Sequence, residues 1–538
     1  MATALCAVTA MTAAGCGGKN NGGSGHQFTV LAVKEEAVNS YNDMQVFKDI
    51  AEETGKDVYW TFNTSAQYNR NTNKAGIKGI DAIYHSGFSN LQLNDYGKRG
   101  RIVAIDEYLD SMPNFKKILD SRPDIREALK SPDGHIYSLP RVEEMGLKTY
   151  PNILFLNKKW VEKLIDGGNM PAGVSLTKAD LADGLDISRD DFKAILQKFA
   201  ELDMDGDGKT TNEVPLSFVS NNWQGNESDL IASFGIPENI QHKTILNGKI
   251  TFTIEDEKWF NAIKELHDWY EKGIIRTASY DKGQDEFLAN GHTGIYGSFY
   301  WWEKETVVNN ADDYIIVKPL KDENGNRYVG PSNELEVEKA VCVIMGSCKD
   351  KAGLLSYFDK FYEPEYSAQL NYGSIAAGAY KYTEDADGKI IPERDEKGRI
   401  IPNTDHGNQS ADDFRMRNAP YGLVYLTEDV FKNNVVMEPR AQLRQDRLAA
   451  YVTPYTYPGA KPIPNLNYTE AELNTLSQYE ATLAKNITSY MTKAITGDSV
   501  PTKTKWQQDL VNKNKTSIEK VKKTNQDAYD RYLVEISK

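Results

Sequence analysis

The sequence predicts an α/β protein with more than one hydrophobic core and a helical C-terminal region. Three observations carry this reading: strand and helix periodicities alternate from Phe28 onward, the chain is 538 residues long, and the pattern after Thr469 is almost wholly helical. Residues 28–33 (FTVLAV) form an unbroken apolar, β-branched run, which reads as a buried strand. Met44, Phe47, Ile50 and Ala51 then share one helical face, and Gly55 ends that helix. Residues 58–62 (VYWTF) are a second strand and residues 80–84 (IDAIY) a third, closed by His85-Ser86-Gly87. Strand–helix–strand order implies right-handed crossovers and an open, mainly parallel sheet. Ligands of such sheets bind beyond the carboxyl ends of the strands, where Lys34, Tyr84 and His85 fall. Further along, Ser188 caps a helix with Phe192, Ile195, Leu196 and Phe199 on one stripe. Trp259, Ile263, Leu266 and Trp269 make another stripe, ended at Gly273. That spacing is what core packing produces, so neither stripe is read as a cofactor site. Thr469 and Glu472 have capping-box spacing and start the terminal helices.

Composition narrows the function classes. With 77 acidic and 63 basic side chains the net charge is −14, which excludes a general nucleic-acid binder needing a basic stripe. Forty per cent apolar and 26% charged is ordinary for a globular protein. Beyond the extreme N-terminus no run approaches the roughly 20 apolar residues of a membrane helix. Thirty Tyr and 8 Trp are a surplus of large flat surfaces that either fill a core or line a cleft. Cysteines say little: Cys342 sits in an apolar run as a buried strand residue, and a disulfide to Cys348 is left open. No Cys/His spacing suggests zinc.

Residues 1–25 stand apart. Ala2 to Ala14 is small and apolar, too short to span a bilayer, and leads into Ala13-Ala14-Gly15-Cys16. This resembles the lipobox of bacterial lipoproteins, which implies cleavage after residue 15 and lipidation of Cys16. Residues 17–25 (GGKNNGGSG) read as a flexible tether. No Lys or Arg precedes the apolar stretch, so the expected start codon lies upstream of Met1.

Several later segments resemble the extracellular solute-binding proteins, family 1, that serve bacterial sugar ABC importers. They are residues 100–108 (GRIVAIDEY), 132–140 (PDGHIYSLP), 152–160 (NILFLNKKW) and 287–302 (FLANGHTGIYGSFYWW), with YMTKAITGD and NQDAYDRYL near the end. The resemblance spans the mature chain. It implies a two-lobe periplasmic-binding-protein-like fold with a hinge, the ligand between the lobes, and no catalysis. The resemblance places the first lobe's N-terminal part at 26–150, mainly the second lobe at 151–345, and helical segments completing both lobes at 346–538. Its partners would be an oligosaccharide and the permease of an importer, with a monomer held to the membrane by its lipid alone.

A sugar has apolar C–H faces and hydroxyl rims, met by aromatic rings and by carboxylates, amides and Arg. Tyr300, Trp301 and Trp302, after a Gly-containing strand, are the leading candidates, with lobe packing as the alternative. Alternation along a strand gives Trp301 the opposite face to its neighbours. Arg141 falls where the resembling proteins pass their hinge-side cleft; its alternative is an ion pair with Glu143 or Glu144. Trp223 in a polar loop, and Tyr84 and His85 after the third strand, complete the set; a surface turn is the alternative for the last two.

The sharpest chemical pattern runs from Asp203 to Glu213 (DMDGDGKTTNE). Asp203, Asp205 and Asp207 occupy loop positions 1, 3 and 5, Gly208 takes position 6, Lys209 offers a backbone carbonyl, and Thr211 and Glu213 follow. Hard oxygens at this spacing select Ca²⁺. The acid at position 11 rather than 12, and the absence of a following helix, depart from an EF-hand. The segment resembles the structural calcium loop of some oligosaccharide-binding relatives; a solvated acidic turn is the alternative. Catalytic patterns are thin: no G-x-S-x-G elbow, Walker loop, or H-E-x-x-H occurs. Two rivals to the receptor reading stand, a secreted glycan-degrading enzyme and a surface glycan-capture lipoprotein of a porin-type system. The latter would be helical from the start, whereas this chain opens strand–helix–strand.

Overall fold

The computed structural model describes residues 26–537. Cys16 and its leader therefore lie outside the described residues. The first sheet has six strands in the order Tyr425–Leu426, Leu139–Glu143, Val337–Ile344, Ala82–Tyr84, Phe28–Val33, Val58–Asn63. Phe28–Val33 is parallel to both its neighbours, as the strand–helix–strand reading requires. The helix between the first two strands, Gln45–Thr54, buries Val46, Phe47 and Ile50 and ends on Gly55 at φ +63°, the left-handed stop that glycine adopts without strain.

The sheet is mixed: three of its five strand pairings are parallel, as the alternation predicts, and two are antiparallel. Val337–Ile344 runs antiparallel to both Ala82–Tyr84 and Leu139–Glu143. It returns from the other end of the chain rather than through a βαβ crossover, so nothing constrains it to be parallel. Both faces of this sheet are covered. Val30, Ala32, Ala82, Tyr84, Cys342 and Ile344 point into one core, while Leu31, Ile83 and Val343 point into another.

A second sheet of three strands, Ser298–Trp301, Ile153–Asn157 and Tyr314–Val317, is wholly antiparallel. It too is buried on both faces: Leu154, Leu156, Tyr300 and Ile315 enter one core, and Ile153, Phe155, Phe299 and Trp301 the other. Helices Arg189–Glu201 and Glu257–Glu271 pack their expected stripes here, with Ser188 Oγ accepting from Asp191 N–H as the cap. The terminal helix Glu470–Thr496 starts in the Thr469/Glu472 capping box and adds Leu483, Ile487 and Met491 to the same core. Cys342 and Cys348 are both buried and free, so they form no disulfide.

One helix spans the two cores. Pro439–Tyr451 places Ala441 in the core of the first sheet and Leu448 in the core of the second. The chain also crosses between the sheets at residues 144–152 and again ahead of Val337. The protein is thus two α/β lobes, one around each sheet.

Candidate functional site

At the junction of the lobes lies a small cavity of about 70 Å³. Trp302 and Glu303 reach it from the end of the second sheet, Tyr372, Tyr380 and Arg415 from the first lobe, and Arg440 and Arg444 from the helix that spans the two cores. Its walls carry two guanidinium–aromatic stacks. Arg444 lies over the Trp302 ring, 5.4 Å from its centroid. Arg415 lies between Tyr372 at 4.6 Å and Tyr421 at 5.1 Å. Tyr421 holds φ at +50°, an unusual conformation for so bulky a residue, and the strain fixes its ring beside the guanidinium.

Charged groups at the rim are tied down. Arg440 grips Glu303 with two bonds, Nε to Oε1 at 3.1 Å and Nη2 to Oε2 at 2.6 Å, and its Nη1 donates to Asp412 at 3.1 Å. Burial pushes the Glu303 carboxyl up, and Arg440 partly offsets that. Other polar atoms of the lining have no partner: Arg444 Nε, Tyr380 Oη and His406 Nδ1 are buried and unbonded. Buried polar groups are normally satisfied, so these three residues of one lining are exceptions to that rule.

Of the seven ligand residues expected from sequence, Trp302 alone lines this cavity. Tyr300 and Trp301 are corrected to packing residues, 3% and 1% exposed in the two cores that flank their sheet. Trp301 packs against Phe287, tilted by 30° with centroids 4.8 Å apart, and a Cβ on Gly225 would sit 2.2 Å from its ring. The same close approach seats the Trp223 loop, where Asn221 has φ +66°; Trp223 itself is half-buried outside the cavity lining. Tyr84 is fully buried, its Oη accepting Leu423 N–H at 2.9 Å, and Gly422 has no room for a Cβ against it. His85 donates Nε2–H to the Pro420 carbonyl at 2.9 Å, and burial lowers its imidazole pKa.

Arg141 forms the ion pair that was its alternative reading. Its Nη2 bonds Glu143 and, at 2.7 Å, Asn371 Oδ1, while Asn371 Nδ2 donates to Glu143 Oε1 at 2.8 Å. Burial alone would raise the Glu143 carboxyl, but Arg141 and Arg415 bring it down to about 2. This network lies behind Tyr372 and Arg415 and braces them rather than facing the cavity. The sequence reasoning missed Tyr372, Tyr380, Glu303, Arg415, Arg440 and Arg444. One signal was available: Arg440, Arg444 and Arg447 stand at i, i+4 and i+7, one face of a helix.

The acidic loop assembles as expected. Asp203, Asp205 and Asp207 offer ligand oxygens that all lie within 4.8 Å of one another. Gly206 and Gly208, at φ +87° each, turn their N–H groups onto Asp203 at 2.6 and 3.0 Å. Glu213 is fully buried: Oε1 accepts Met204 N–H at 2.9 Å, and Oε2 has no partner. Lys209 and Thr211 are exposed on the same loop. Lys163 Nζ donates to the Asp203 carbonyl at 2.7 Å, tying the loop to helix Lys158–Asp166. Clustered carboxylates with an orphaned buried oxygen fit a hard cation.

No protein-family model matches the chain. It is 25% identical over 499 residues to the fructooligosaccharide ABC transporter substrate-binding protein FusA of Streptococcus pneumoniae serotype 4, covering 91% of this chain and 87% of that one. The solved structure of FusA in complex with kestose superposes with a TM-score of 0.79 at 24% identity, over 94% of this chain and 99% of that one. FusA has also been solved as an EF-hand mutant in complex with fructo-nystose, with a TM-score of 0.78, 24% identity and the same coverage. An HMO-binding, ABC-transporter-associated solute-binding protein of Bifidobacterium longum infantis gives a TM-score of 0.70 at 18% identity, over 94% and 98% of the chains. No helix among the described residues is long and apolar enough to cross a membrane. Over nine-tenths of its length the chain is thus similar in sequence to the substrate-binding protein of a fructooligosaccharide ABC transporter, and it shares the two-lobe fold of such proteins.

Proposed function

We propose that the protein is a non-catalytic, extracytoplasmic receptor that takes an oligosaccharide between its two lobes and delivers it to an ABC importer. The observation that carries this is the interlobe cavity, whose lining combines the rings of Trp302, Tyr372 and Tyr380 with the guanidinium and carboxylate groups of Arg415, Arg440, Arg444 and Glu303. Rings suit the C–H faces of a sugar, and the charged groups suit its hydroxyls. Closure follows from contacts to both lobes. A ligand touching Trp302 on one side and the Tyr372–Arg415 wall on the other binds the closed form better and so shifts the population toward it. The N-terminal half of the first lobe is assigned to 26–150, most of the second lobe to 151–345, and the completing helices to 346–538.

The Asp203–Glu213 loop is assigned one structural Ca²⁺, held by Asp203, Asp205 and Asp207, with the Lys209 carbonyl, Thr211 and Glu213 as the remaining candidate ligands. Cys16 is assigned the lipid anchor of a monomer; retention of Cys16→Ser in the membrane fraction at the parent's level would remove that assignment. The receptor reading is tested by titration calorimetry with a panel of neutral oligosaccharides, followed by an assay for released reducing ends. Micromolar or tighter binding without release is expected. Release of reducing ends would favour the enzyme rival.

A further inference from the structure

Charge is spread unevenly along this chain. Residues 485–523 carry nine Lys against Asp498, Asp509 and Glu519, a net charge of +6, which leaves −20 on the rest of a chain whose total is −14. The segment comprises the end of helix Glu470–Thr496, the turns after it and the start of the last helix, Lys515–Ile536. Met491, Trp506, Leu510 and Ile518 seat it on the core of the second lobe. Trp506 also donates Nε1–H to the Ile254 carbonyl at 3.1 Å and stacks on Phe260 at 5.3 Å, so the surface is held in place. Two of the lysines are neutralised by that lobe: Lys503 pairs with Glu257 at 2.6 Å and Lys522 with Glu255 at 2.8 Å. Lys493, Lys505 and Lys513 have no ion pair among the described residues. They are exposed around one open depression of about 400 Å³, whose lining holds a single acid, Asp509. Its rim includes Val500, an aliphatic side chain 56% exposed on the turn between the helices.

The opposite sign gathers on the other lobe. Asp49, Glu52, Glu53, Glu363 and Glu365 line a groove of the first lobe, with Lys389 and Arg394 against them. An extended anionic surface therefore draws the second lobe and repels the first, which sets an orientation as well as an attraction. Lysines act as point charges that meet phosphates at any spacing, and an exposed aliphatic side chain among them suits the boundary between headgroups and acyl chains. A soluble polyanion would gain nothing from Val500. A second copy of the chain, basic face to acidic groove, would make a head-to-tail contact that need not close. We propose that this face of the second lobe docks on a bilayer bearing anionic lipid headgroups, with Lys493, Lys505 and Lys513 at the phosphates and Val500 at the edge of the acyl region. The receptor reading supplies the bilayer, since a receptor that feeds an importer works at its surface, but docking itself requires no glycan.

The test is co-sedimentation of the full chain with vesicles, in the absence of glycan, with Cys16→Ser in every sample so that no acyl chain contributes. The vesicles are phosphatidylcholine alone, or phosphatidylcholine with about three-tenths phosphatidylglycerol. Binding to the anionic vesicles is expected, falling steeply as salt rises from ~0.05 to ~0.5 M. Each lysine at a charged surface contributes roughly fivefold, so Lys493→Gln, Lys505→Gln and Lys513→Gln together should lose on the order of 100-fold. The same change of charge on the first lobe, Lys48→Gln with Lys78→Gln and Lys117→Gln, removes exposed lysines away from the face and should alter binding by less than about threefold. Val500→Ser should lose a few-fold at low and high salt alike, as burial of apolar surface requires. Equal losses from the two triple variants would overturn the proposal, because net charge and not a face would then be acting. So would equal binding of the parent to both kinds of vesicle. Displacement by inorganic polyphosphate with no effect of Val500→Ser would assign the face to a soluble polyanion instead. Self-association in sedimentation velocity that the Lys493/Lys505/Lys513 variant abolishes would assign it to a second copy. A parent that binds oligosaccharide but not anionic vesicles would sink this inference and leave the receptor reading standing, whereas docking without any glycan binding would do the reverse.

Discussion

Replacing Trp301 and Trp302 one at a time should separate stability from binding at adjacent positions of one strand end. Trp301 is 1% exposed, packs against Phe287, donates Nε1–H to Thr306 Oγ1 at 3.1 Å and fills the space left by Gly225. Trp301→Ala removes all of this and leaves a cavity, at a cost of about 3–5 kcal/mol to the second lobe. Trp302 is partly buried at the interlobe cavity, packed against the second lobe's core and under the guanidinium of Arg444. Trp302→Ala forfeits the cation–π contact, about 0.5–1 kcal/mol, and the apolar packing of a partly exposed ring, less than the fully buried Trp301 loses. For ligand it removes a stacking surface, about 1–3 kcal/mol or roughly 5- to 150-fold in affinity. Denaturant unfolding followed by far-UV circular dichroism reads the first quantity, and calorimetric titration of the folded variants reads the second. The expected pattern is crossed: a large midpoint shift with near-parental affinity for Trp301→Ala, and the reverse for Trp302→Ala. Equal affinity losses, or a Trp302→Ala protein that binds like the parent, would refute the placement of the cleft.

Chelation should lower the melting temperature, because Ca²⁺ at a hundredfold excess over its Kd stabilises the folded state by about 2.7 kcal/mol, and Asp203→Asn should abolish the calcium response seen by scanning calorimetry while sugar affinity changes less. Arg440→Ala leaves the 2%-exposed Glu303 carboxylate uncompensated and should cost about 3–5 kcal/mol in denaturant unfolding, most of which Arg440→Ala combined with Glu303→Gln recovers. Burial pushes the Asp229 carboxyl from the ordinary 3.8 up to about 7. A raised carboxyl keeps its stability at low pH and loses it as pH rises toward the folded value, so stability should fall between about pH 4 and pH 7 by at most about 1.4 kcal/mol per unit. Asp229→Asn should flatten that slope in melts taken across the window.

What could be read from sequence was what is local. The start of the first lobe, the Ser188 cap and the Thr469/Glu472 box are each decided by residues within a few positions of one another. The acidic loop was legible for the same reason, since its three aspartates converge through a single turn. The cavity was not. It draws on residues 302–303, 372–380, 402–415 and 435–444, segments whose meeting depends on how the lobes pack. The reading of Tyr300 and Trp301 failed on a specific assumption, that one face of their strand looks into the cleft. Alternation did send them to opposite faces, but both faces of that sheet are covered, and the cleft begins one residue beyond the strand. The antiparallel course of Val337–Ile344 was hidden likewise, because its partners lie some 200 residues away or more in the chain.

The helix Pro439–Tyr451 constrains how the receptor can move. Thirteen residues make a rod of ~20 Å, anchored near one end by Ala441 in the first core and near the other by Leu448 in the second. A rod fixed at both ends transmits rotation instead of absorbing it. Opening must therefore be taken up in the segments that flank it, 434–438 and the short turns after Tyr451, and in the crossings at 144–152 and ahead of Val337. The pivot then sits at the floor of the cavity, so small rotations there become large displacements at the outer rims of the lobes. A pair of spin labels on the rims would register closure as a change of distance, while a pair on this helix and Glu305 would not.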